Sequence, residues 1–139
     1  MNYKIIGKYV KNLNFNIPNP KTFFLLSKNI SNYKINIDIK SNQVKENIIE
    51  VLISLSLMPT KDDFEKIGTN IVFATIVEII EKDIKKDEVE KIVLVDVPSK
   101  VYSELRQIFI SLFESSGFRD VKINENVDFQ KLYSARLIQ

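Results

Sequence analysis

Residues 48–58 read Ile-Ile-Glu-Val-Leu-Ile-Ser-Leu-Ser-Leu-Met, and this alternation of side chains is typical of a half-buried β-strand. One face carries only large aliphatic residues, which are Ile49, Val51, Ile53, Leu55 and Leu57. The other face carries Glu50, Ser54 and Ser56. Because successive side chains on a strand point to opposite faces, the stretch predicts one face against a core and one face without that cover.

Similar alternation on both sides of this stretch predicts a sheet. Residues 3–17 and 33–39 alternate apolar with polar side chains, and the Pro-Asn-Pro sequence at 18–20 ends the first of these strands. Residues 70–80 are apolar on both faces, so this strand needs cover on both sides. We expect helices on one side, and a partner subunit or a bound client over part of the other.

The spacing of the apolar side chains changes after residue 98. Apolar side chains then recur at helical spacing, with Ser99 as the expected N-cap and Gly117 as the residue after the helix; the stripe comprises Val101, Tyr102, Leu105, Ile108, Phe109, Leu112 and Phe113. Asp128 is expected to cap a short last helix. Residues 90–97 are compatible with a strand or with the start of a helix that Pro98 interrupts. Strands followed by helices predict one α+β domain over residues 1–139, a four-stranded antiparallel sheet with two helices packed on one face.

A predicted long loop separates the first two strands. Within residues 21–32 it contains four consecutive large apolar residues, Phe23, Phe24, Leu25 and Leu26, without clear periodicity. Two interpretations remain open for this segment. The loop packs onto its own core, or it presents an exposed apolar binding surface.

Composition narrows the class of protein. The chain has 139 residues and a net charge of +2, and acids are interleaved among its scattered lysines, which argues against nucleic-acid binding. It has no cysteine, so no disulfide is expected. Lysines break every apolar run at the N-terminus, so neither a signal peptide nor membrane insertion is predicted. We therefore expect a cytoplasmic protein.

Catalysis and cofactor binding are not expected either. The chain lacks histidine and cysteine, and its three glycines stand alone, so there is no Gly-rich loop to hold a phosphate. Carboxylate pairs at Asp62 with Asp63, Glu78 with Glu81, and Asp87 with Glu88 are the remaining catalytic or metal-binding candidates. Adjacent carboxylates such as Asp62 and Asp63 stand in polar, turn-like surroundings, so solvated surface charge is the favoured interpretation and no enzyme is predicted.

Two segments resemble the SecB family of protein-export chaperones. Residues 9–20, Tyr-Val-Lys-Asn-Leu-Asn-Phe-Asn-Ile-Pro-Asn-Pro, are similar to that family's first strand and turn. Residues 115–118, Ser-Ser-Gly-Phe, and residues 127–133, Val-Asp-Phe-Gln-Lys-Leu-Tyr, resemble its glycine-phenylalanine loop and the start of its last helix. The order of the intervening elements agrees, so the resemblance covers nearly the whole chain.

The resemblance implies an ATP-independent holdase, assembled as a homotetramer that is a dimer of dimers. Clients would be unfolded preproteins, held in apolar grooves and passed to the SecA motor. The implied client-binding residues are Phe23, Phe24, Leu25 and Leu26 in the loop, Phe73 on the doubly apolar strand, and Tyr102 in the long helix. A holdase binds many sequences, so apolar area suits it better than specific hydrogen bonds.

The chain departs from the family pattern at positions that help bind SecA. Family acids of the first strand are replaced by Asn12 and Asn16, and a further acidic position corresponds to Ile76. Docking to SecA is therefore expected to be weak. The alternative is a SecB-like chaperone dedicated to a single partner, for example an antitoxin, without coupling to SecA.

Overall fold

The computed structural model describes residues 2–29, 33–59, 68–118, 123 and 125–138. The elements follow the order β1 (Tyr3–Asn16), α1 (Pro20–Asn29), β2 (Tyr33–Lys45), β3 (Ile48–Pro59), β4 (Gly68–Ile79), α2 (Lys86–Lys91), a π-helical turn (Ile92–Asp96), α3 (Val97–Ser115) and α4 (Phe129–Ile138). The four strands form one antiparallel sheet in the order β1-β4-β3-β2. The predicted α+β fold is confirmed, and the predicted Asp62–Asp63 pair lies outside the described residues.

The core lies between the helices and one face of the central strands β3 and β4. The aliphatic face predicted for residues 48–58 is buried from Ile49 to Leu57, and Ile71, Phe73 and Val77 of β4 lie beside it. The stripe of α3 packs onto this face, and three of its side chains, Leu105, Phe109 and Phe113, are fully buried. Burying each such side chain stabilises the fold by about 1.5–3 kcal/mol.

Residues 90–97 are helical, which settles the open alternative between strand and helix. The helical rod begins at Lys86 and continues to Ser115, and within it the Val97 N–H donates to the Ile92 carbonyl five residues back. In a regular α-helix the Pro98 ring would press on the carbonyl of Leu94. A wider turn just before the proline is a known way to accommodate such a conflict, so the rod passes Pro98 without a break.

The predicted N-cap at Ser99 is therefore wrong, because this residue lies inside the rod. Its hydroxyl donates to the Val95 carbonyl at 2.6 Å, one turn back along the helix. The predicted helix end is confirmed. Gly117 has φ +94°, its N–H donates to Glu114, and the Phe118 N–H donates to Phe113, which is a Schellman motif.

The start of the last helix is also confirmed. The Lys131 N–H donates to the side-chain oxygen Oδ1 of Asp128 at 2.9 Å, as an N-cap requires. The Phe129 ring then packs edge-on against Tyr102 of α3, with 5.9 Å between their centroids. Asp128 therefore sets the point at which α4 begins, and the aromatic contact holds that point against α3.

The expected loop after β1 is wrong in part, because residues 20–29 form the helix α1. Pro20 occupies the first helical turn, and Asn19 Oδ1 accepts a hydrogen bond from the Thr22 N–H at 2.8 Å, so the helix has a regular N-cap. Thr22 and Leu26 are buried on the inner side. Phe24 and Leu25 point outward, and apolar residues on both sides hide the helical period from the sequence.

Strand β1 keeps its predicted alternation only at its two ends. Irregularities in the pairing with β4 lie between Ile5 and Gly7 and between Val10 and Asn12. Each adds one residue to β1, so the central part turns its other side to the core face. The alternation predicts Tyr9 on the buried side, but Tyr9 lies opposite Ala74 on the other face of the sheet. We call this face, which none of the described helices covers, the helix-free face.

Candidate functional site

The predicted client-binding residues fall into two groups by exposure. Phe24 and Leu25 are 63% and 44% exposed on the outer side of α1, and Phe23 is half-buried. The remaining three, Leu26, Phe73 and Tyr102, are buried. The outer side of α1 is therefore the part of the predicted site that a client could contact directly.

The Phe23 ring contacts both an exposed aromatic ring and a buried one. Its ring lies 5.7 Å from the Phe24 ring and 4.8 Å from the Phe118 ring, centroid to centroid. Phe118 in turn packs against Phe113 in the core. The exposed aromatic on α1 is thus connected by ring contacts to the end of α3, which fixes the position of the helix.

A groove that the sequence did not predict runs along the edge strand β2. A cavity of about 670 Å³ and an adjoining one of about 280 Å³ share Ile39, Leu94 and Tyr133 in their walls. We refer to the two together as the β2 groove. Its floor includes Ile37 and Ile39, and its opposite wall comes from α2, the π-helical turn and α4, with Val89, Val93, Leu94, Leu132 and Tyr133.

The β2 groove lies beside β2, which is at the edge of the sheet. The core-facing side chains of β2, Ile35, Ile37 and Ile39, are only half-buried, whereas those of the neighbouring strand β3 are buried. Leu132 on α4 is 51% exposed and borders the smaller cavity. Apolar surface therefore faces the groove from the floor and from the wall.

Polar groups line the end of the groove near α2. The Tyr133 hydroxyl donates to Glu90 Oε2 at 3.4 Å, which links α4 to α2. Partial burial, followed by the nearby Glu90 carboxylate, raises the pKa of Tyr133, so the phenol stays protonated at neutral pH. Lys40 and Lys86 lie at the same end. Charges of both signs meet here, so this end favours neither basic nor acidic side chains by charge alone.

The helix-free face of the sheet carries a polar network centred on Glu50. This carboxylate is nearly buried and accepts hydrogen bonds from the Tyr9 hydroxyl, from Lys11 Nζ at 3.0 Å and from Asn42 Nδ2 at 3.3 Å. The bonds from Tyr9 and Lys11 lower the pKa of Glu50, and the bond to Glu50 raises the pKa of Tyr9. The network joins β1, β2 and β3 across the sheet.

This network changes the expectation for the second face of β4. Tyr9 starts beside Ala74 and ends at Glu50 on β3, so its ring must cross β4. Ala74 is 0% exposed although none of the described helices packs on that face, and Val72 and Ile76 are half-buried. Side chains of the chain itself therefore cover part of the face for which a partner or client was expected.

The three positions predicted to weaken SecA docking lie on this same face. Asn12 and Asn16 are exposed on β1, opposite Val72 and Gly68 of β4. Ile76 stands directly across the β3–β4 ladder from Glu50. An acidic side chain at position 76 would thus meet a second carboxylate.

The sequence reasoning missed the residues of the β2 groove. The alternation of residues 33–39 predicts a strand and Asp128 predicts the start of a last helix, but neither pattern indicates an open groove between the two elements. The sequence does contain both apolar surfaces of the groove. Residues 35, 37 and 39 are isoleucines on one side of a strand, and Leu132 and Tyr133 lie on one face of the last helix. Their meeting depends on β2 being an edge strand, which the periodicity does not specify.

The described residues offer no group of three or more acidic side chains placed to bind a metal ion. Glu78 and Asp87, two of the sequence candidates, lie on β4 and α2 respectively, and the described part of the chain provides no third ligand for either. None of the described helices is both long and apolar enough to cross a membrane.

Comparison with known proteins defines the class and then the family. The fold matches that of a SecB-like chaperone from Mycobacterium tuberculosis, solved in complex with a peptide from the HigA1 antitoxin, with a TM-score of 0.66 and 13% identity over 91% of this chain and 88% of that one. The chain thus shares the fold of the SecB-like chaperone class. The family model for preprotein translocase subunit SecB matches residues 1–139, so the chain belongs to the SecB family, the family of protein-export chaperones.

Relatives agree with this assignment. A putative protein-export protein SecB from Pelagibacter ubique is 40% identical over 97% of this chain and 96% of its own length. The protein-export protein SecB of Anaplasma phagocytophilum is 22% identical over 98% of this chain and 93% of its own length. Both alignments cover nearly the whole chain, as the resemblance predicted.

Proposed function

We propose that this chain is an ATP-independent holdase that binds unfolded preproteins and keeps them competent for export through the Sec pathway. The observation that carries the proposal is the β2 groove, which presents apolar side chains from an edge strand and from two helices to a single open channel. The exposed aromatic side of α1 adds a second apolar surface at Phe24 and Leu25. Both surfaces suit clients that have little in common beyond apolar side chains.

The energetics of such binding favour long unfolded chains. Apolar burial contributes roughly 25 cal/mol per Å², so one groove holds a short segment only weakly. A homotetramer, arranged as a dimer of dimers, would offer several grooves to one client, and the second contact then forms at a high effective concentration. We propose this assembly, in the cytoplasm, as the working form.

Within the proposed site, the six residues predicted from the sequence have different roles. Phe24 and Leu25, with Phe23 behind them, contact the client. Leu26, Phe73 and Tyr102 are buried and support the surface from inside. The β2 groove adds Ile37, Ile39, Leu94, Leu132 and Tyr133 to the contact residues.

A second candidate function is a chaperone dedicated to one partner. The observation that favours it is the structural match to a SecB-like chaperone in complex with an antitoxin peptide. Asn12, Asn16 and Ile76 support the same alternative, because they leave the helix-free face without the acids expected for SecA docking. A dedicated chaperone would protect its own partner and no other unfolded protein.

Light scattering tests these alternatives. A chemically unfolded, unrelated protein is diluted into buffer without nucleotide, with and without this chain. Suppressed aggregation at about one assembly per client supports the general holdase. Unchanged aggregation, with a chain shown to be folded and oligomeric, excludes that function and leaves the dedicated chaperone.

A further inference from the structure

We propose that the helix-free face of the sheet is a separate docking surface, which binds a short acidic segment of a partner protein that also carries aliphatic side chains. This inference goes beyond the proposed function, because the occupant is a segment of a partner and not an unfolded client. Three observations carry it: the charge of the face, an aliphatic cluster at one end of it, and the small area of that cluster.

The charges that point outward on this face are nearly all positive. The described strands place three acids on it, of which Asp38 is exposed, Glu78 is half-buried and Glu50 is nearly buried within its network. They place five lysines on it, all of them exposed: Lys4, Lys11, Lys34, Lys40 and Lys45. Five lysines against three acids give the face a net charge of +2, so it attracts acidic ligands.

An aliphatic cluster lies at the end of this face near the turn between β2 and β3. Ile76 of β4 stands opposite Glu50, and Ile48 of β3 lies on the same side of its strand as Glu50; both isoleucines are half-buried. Two β-bulges add Ile6 of β1 and Val44 of β2, which are 48% and 55% exposed. A bulge sets two residues opposite one, so Ile6 is turned toward Ile76, and Val44 toward Ile48. Each of the four strands thus contributes one aliphatic side chain.

A glycine and two lysines define the borders of this cluster. A Cβ atom at Gly7 would lie 3.5 Å from Ile76 Cδ1, so the absence of a side chain at position 7 leaves room for Ile76 beside β1. Lys4 on β1 and Lys45 on β2 stand at the two sides of the cluster. Aliphatic side chains flanked by carboxylates would match this arrangement of apolar centre and cationic borders.

The size of the cluster selects a short segment rather than a second copy of the chain. Four aliphatic side chains, two of them half-buried, expose at most about 300 Å². A stable dimer buries about 800 Å² on each partner. A nucleic acid would be attracted by the lysines, but it has no aliphatic side chains for the cluster. A short acidic and aliphatic peptide satisfies both features.

Three synthetic peptides of about ten residues test this ligand class. The first alternates leucine with glutamate, the second leucine with lysine, and the third serine with glutamate. We expect the first to bind at least about tenfold more tightly than either of the others in calorimetric titration. Equal affinities for the first and second peptides would overturn the charge preference, and equal affinities for the first and third would overturn the aliphatic contact. Equally tight binding of a ten-nucleotide single-stranded DNA would overturn the choice of a peptide.

Substitutions on β1 locate the site and separate it from client binding. Lys4→Gln with Ile6→Ser changes two exposed positions and should weaken binding of the first peptide by about tenfold. Affinity for an unfolded client should change less than about twofold, because β1 and β2 lie at opposite edges of the sheet. Lys8→Gln is the matched control, since Lys8 lies on the other face and bonds to Glu104 of α3.

The outcomes for these variants are distinct. Unchanged peptide affinity in the double variant, or an equal loss in Lys8→Gln, would overturn the helix-free face as the site. An equal loss of client affinity in the double variant would show one shared surface and overturn the separation of the two sites. Urea unfolding of each variant verifies that the measured losses do not come from an unfolded chain.

Discussion

The Tyr9 hydroxyl on β1 donates a hydrogen bond to the Glu50 carboxylate on β3, and the tyrosine ring crosses the strand that separates them. The small side chain of Ala74 on β4 leaves space for the ring at this crossing. Lys11 and Asn42 complete the coordination of Glu50 from the first strand and from the last strand of the sheet. A nearly buried carboxylate is thereby held in its charged form on the face without helices.

The Glu50 network predicts a specific dependence of stability on pH. Hydrogen bonds lower the pKa of Glu50 below its ordinary value of 4.5, so its contribution is complete above that value and is lost as the pH falls through the lowered one. Wild-type protein should therefore lose stability in this acidic window. Glu50→Gln should show a shallower loss, measured as the urea midpoint of unfolding against pH. Glu46→Gln, at an exposed turn, is the control, and an equal slope in both variants would contradict the prediction.

A charge in the β2 groove should weaken client binding without unfolding the chain. Leu132 is 51% exposed on α4, so Leu132→Asp should fold normally while placing a carboxylate against the apolar floor. Client affinity, measured by titration of a labelled unfolded protein, should fall by about tenfold or more. Ile80→Asp is the matched control, because Ile80 is 53% exposed and does not line the groove. Similar losses of client affinity in both variants would show that the client binds outside the β2 groove.

The outer side of α1 can be tested separately from its inner side. Phe24→Ser with Leu25→Ser changes two exposed residues and should lower client affinity while changing the free energy of unfolding by about 0.5 kcal/mol or less per site. Leu26→Ala should instead lower the free energy of unfolding by about 2–5 kcal/mol, because Leu26 is buried. Unchanged client affinity in the double serine variant would remove α1 from the site.

Phe73 was predicted to contact the client, but it is buried, so a charged substitution at this position would not test that role. Phe73→Asp would place an unpaired charge in the core beside Ile53, and we expect it to lower the free energy of unfolding by about 4 kcal/mol or more. Loss of client binding in that variant would therefore report unfolding. Phe73→Leu keeps an apolar side chain in the core. Client titration and urea unfolding of this variant therefore distinguish a direct contact with the client from a role in supporting the fold.

Restoring acids on β1 should strengthen docking to SecA. Asn12→Asp with Asn16→Glu changes two exposed positions, and we expect tighter binding to the SecA C-terminal tail by calorimetric titration. Ile76→Glu should instead destabilise the fold, because its carboxylate would stand directly opposite Glu50. Tight binding of the SecA C-terminal tail by the wild-type chain would contradict the prediction of weak docking to SecA.

The sequence predicts the strands well where one face alone meets the core. The alternation of residues 33–39 and 48–58 predicts β2 and β3, and both strands are confirmed, although β2 extends beyond the predicted end to Lys45. In β1 the same pattern fails in the middle, because two irregularities shift Tyr9 to the other face. A bulge is decided by pairing with β4, so the periodicity of one strand cannot reveal it.

The helices show a different limit. The stripe of α3 predicts its buried face, because most of its apolar residues lie on one side. The first turns of the rod were ambiguous because Ile92, Val93 and Val95 favour strands by propensity, whereas their burial against the sheet decides for a helix. The β2 groove depends on how three separate segments meet, and this information is not contained in any one of them.

The π-helical turn at Ile92–Asp96 has a consequence for the lengths of related chains. A turn with a hydrogen bond across five residues holds about one residue more than an α-helical turn. Removing one residue here would convert it to an α-turn, and the Pro98 ring would then conflict with the carbonyl one turn back unless the proline were replaced as well. Val93 and Leu94, which line the groove, would change, whereas Leu105 and Phe109 would stay in the core. A one-residue deletion that is accompanied by loss of the proline would therefore reshape the groove wall without disturbing the hydrophobic core.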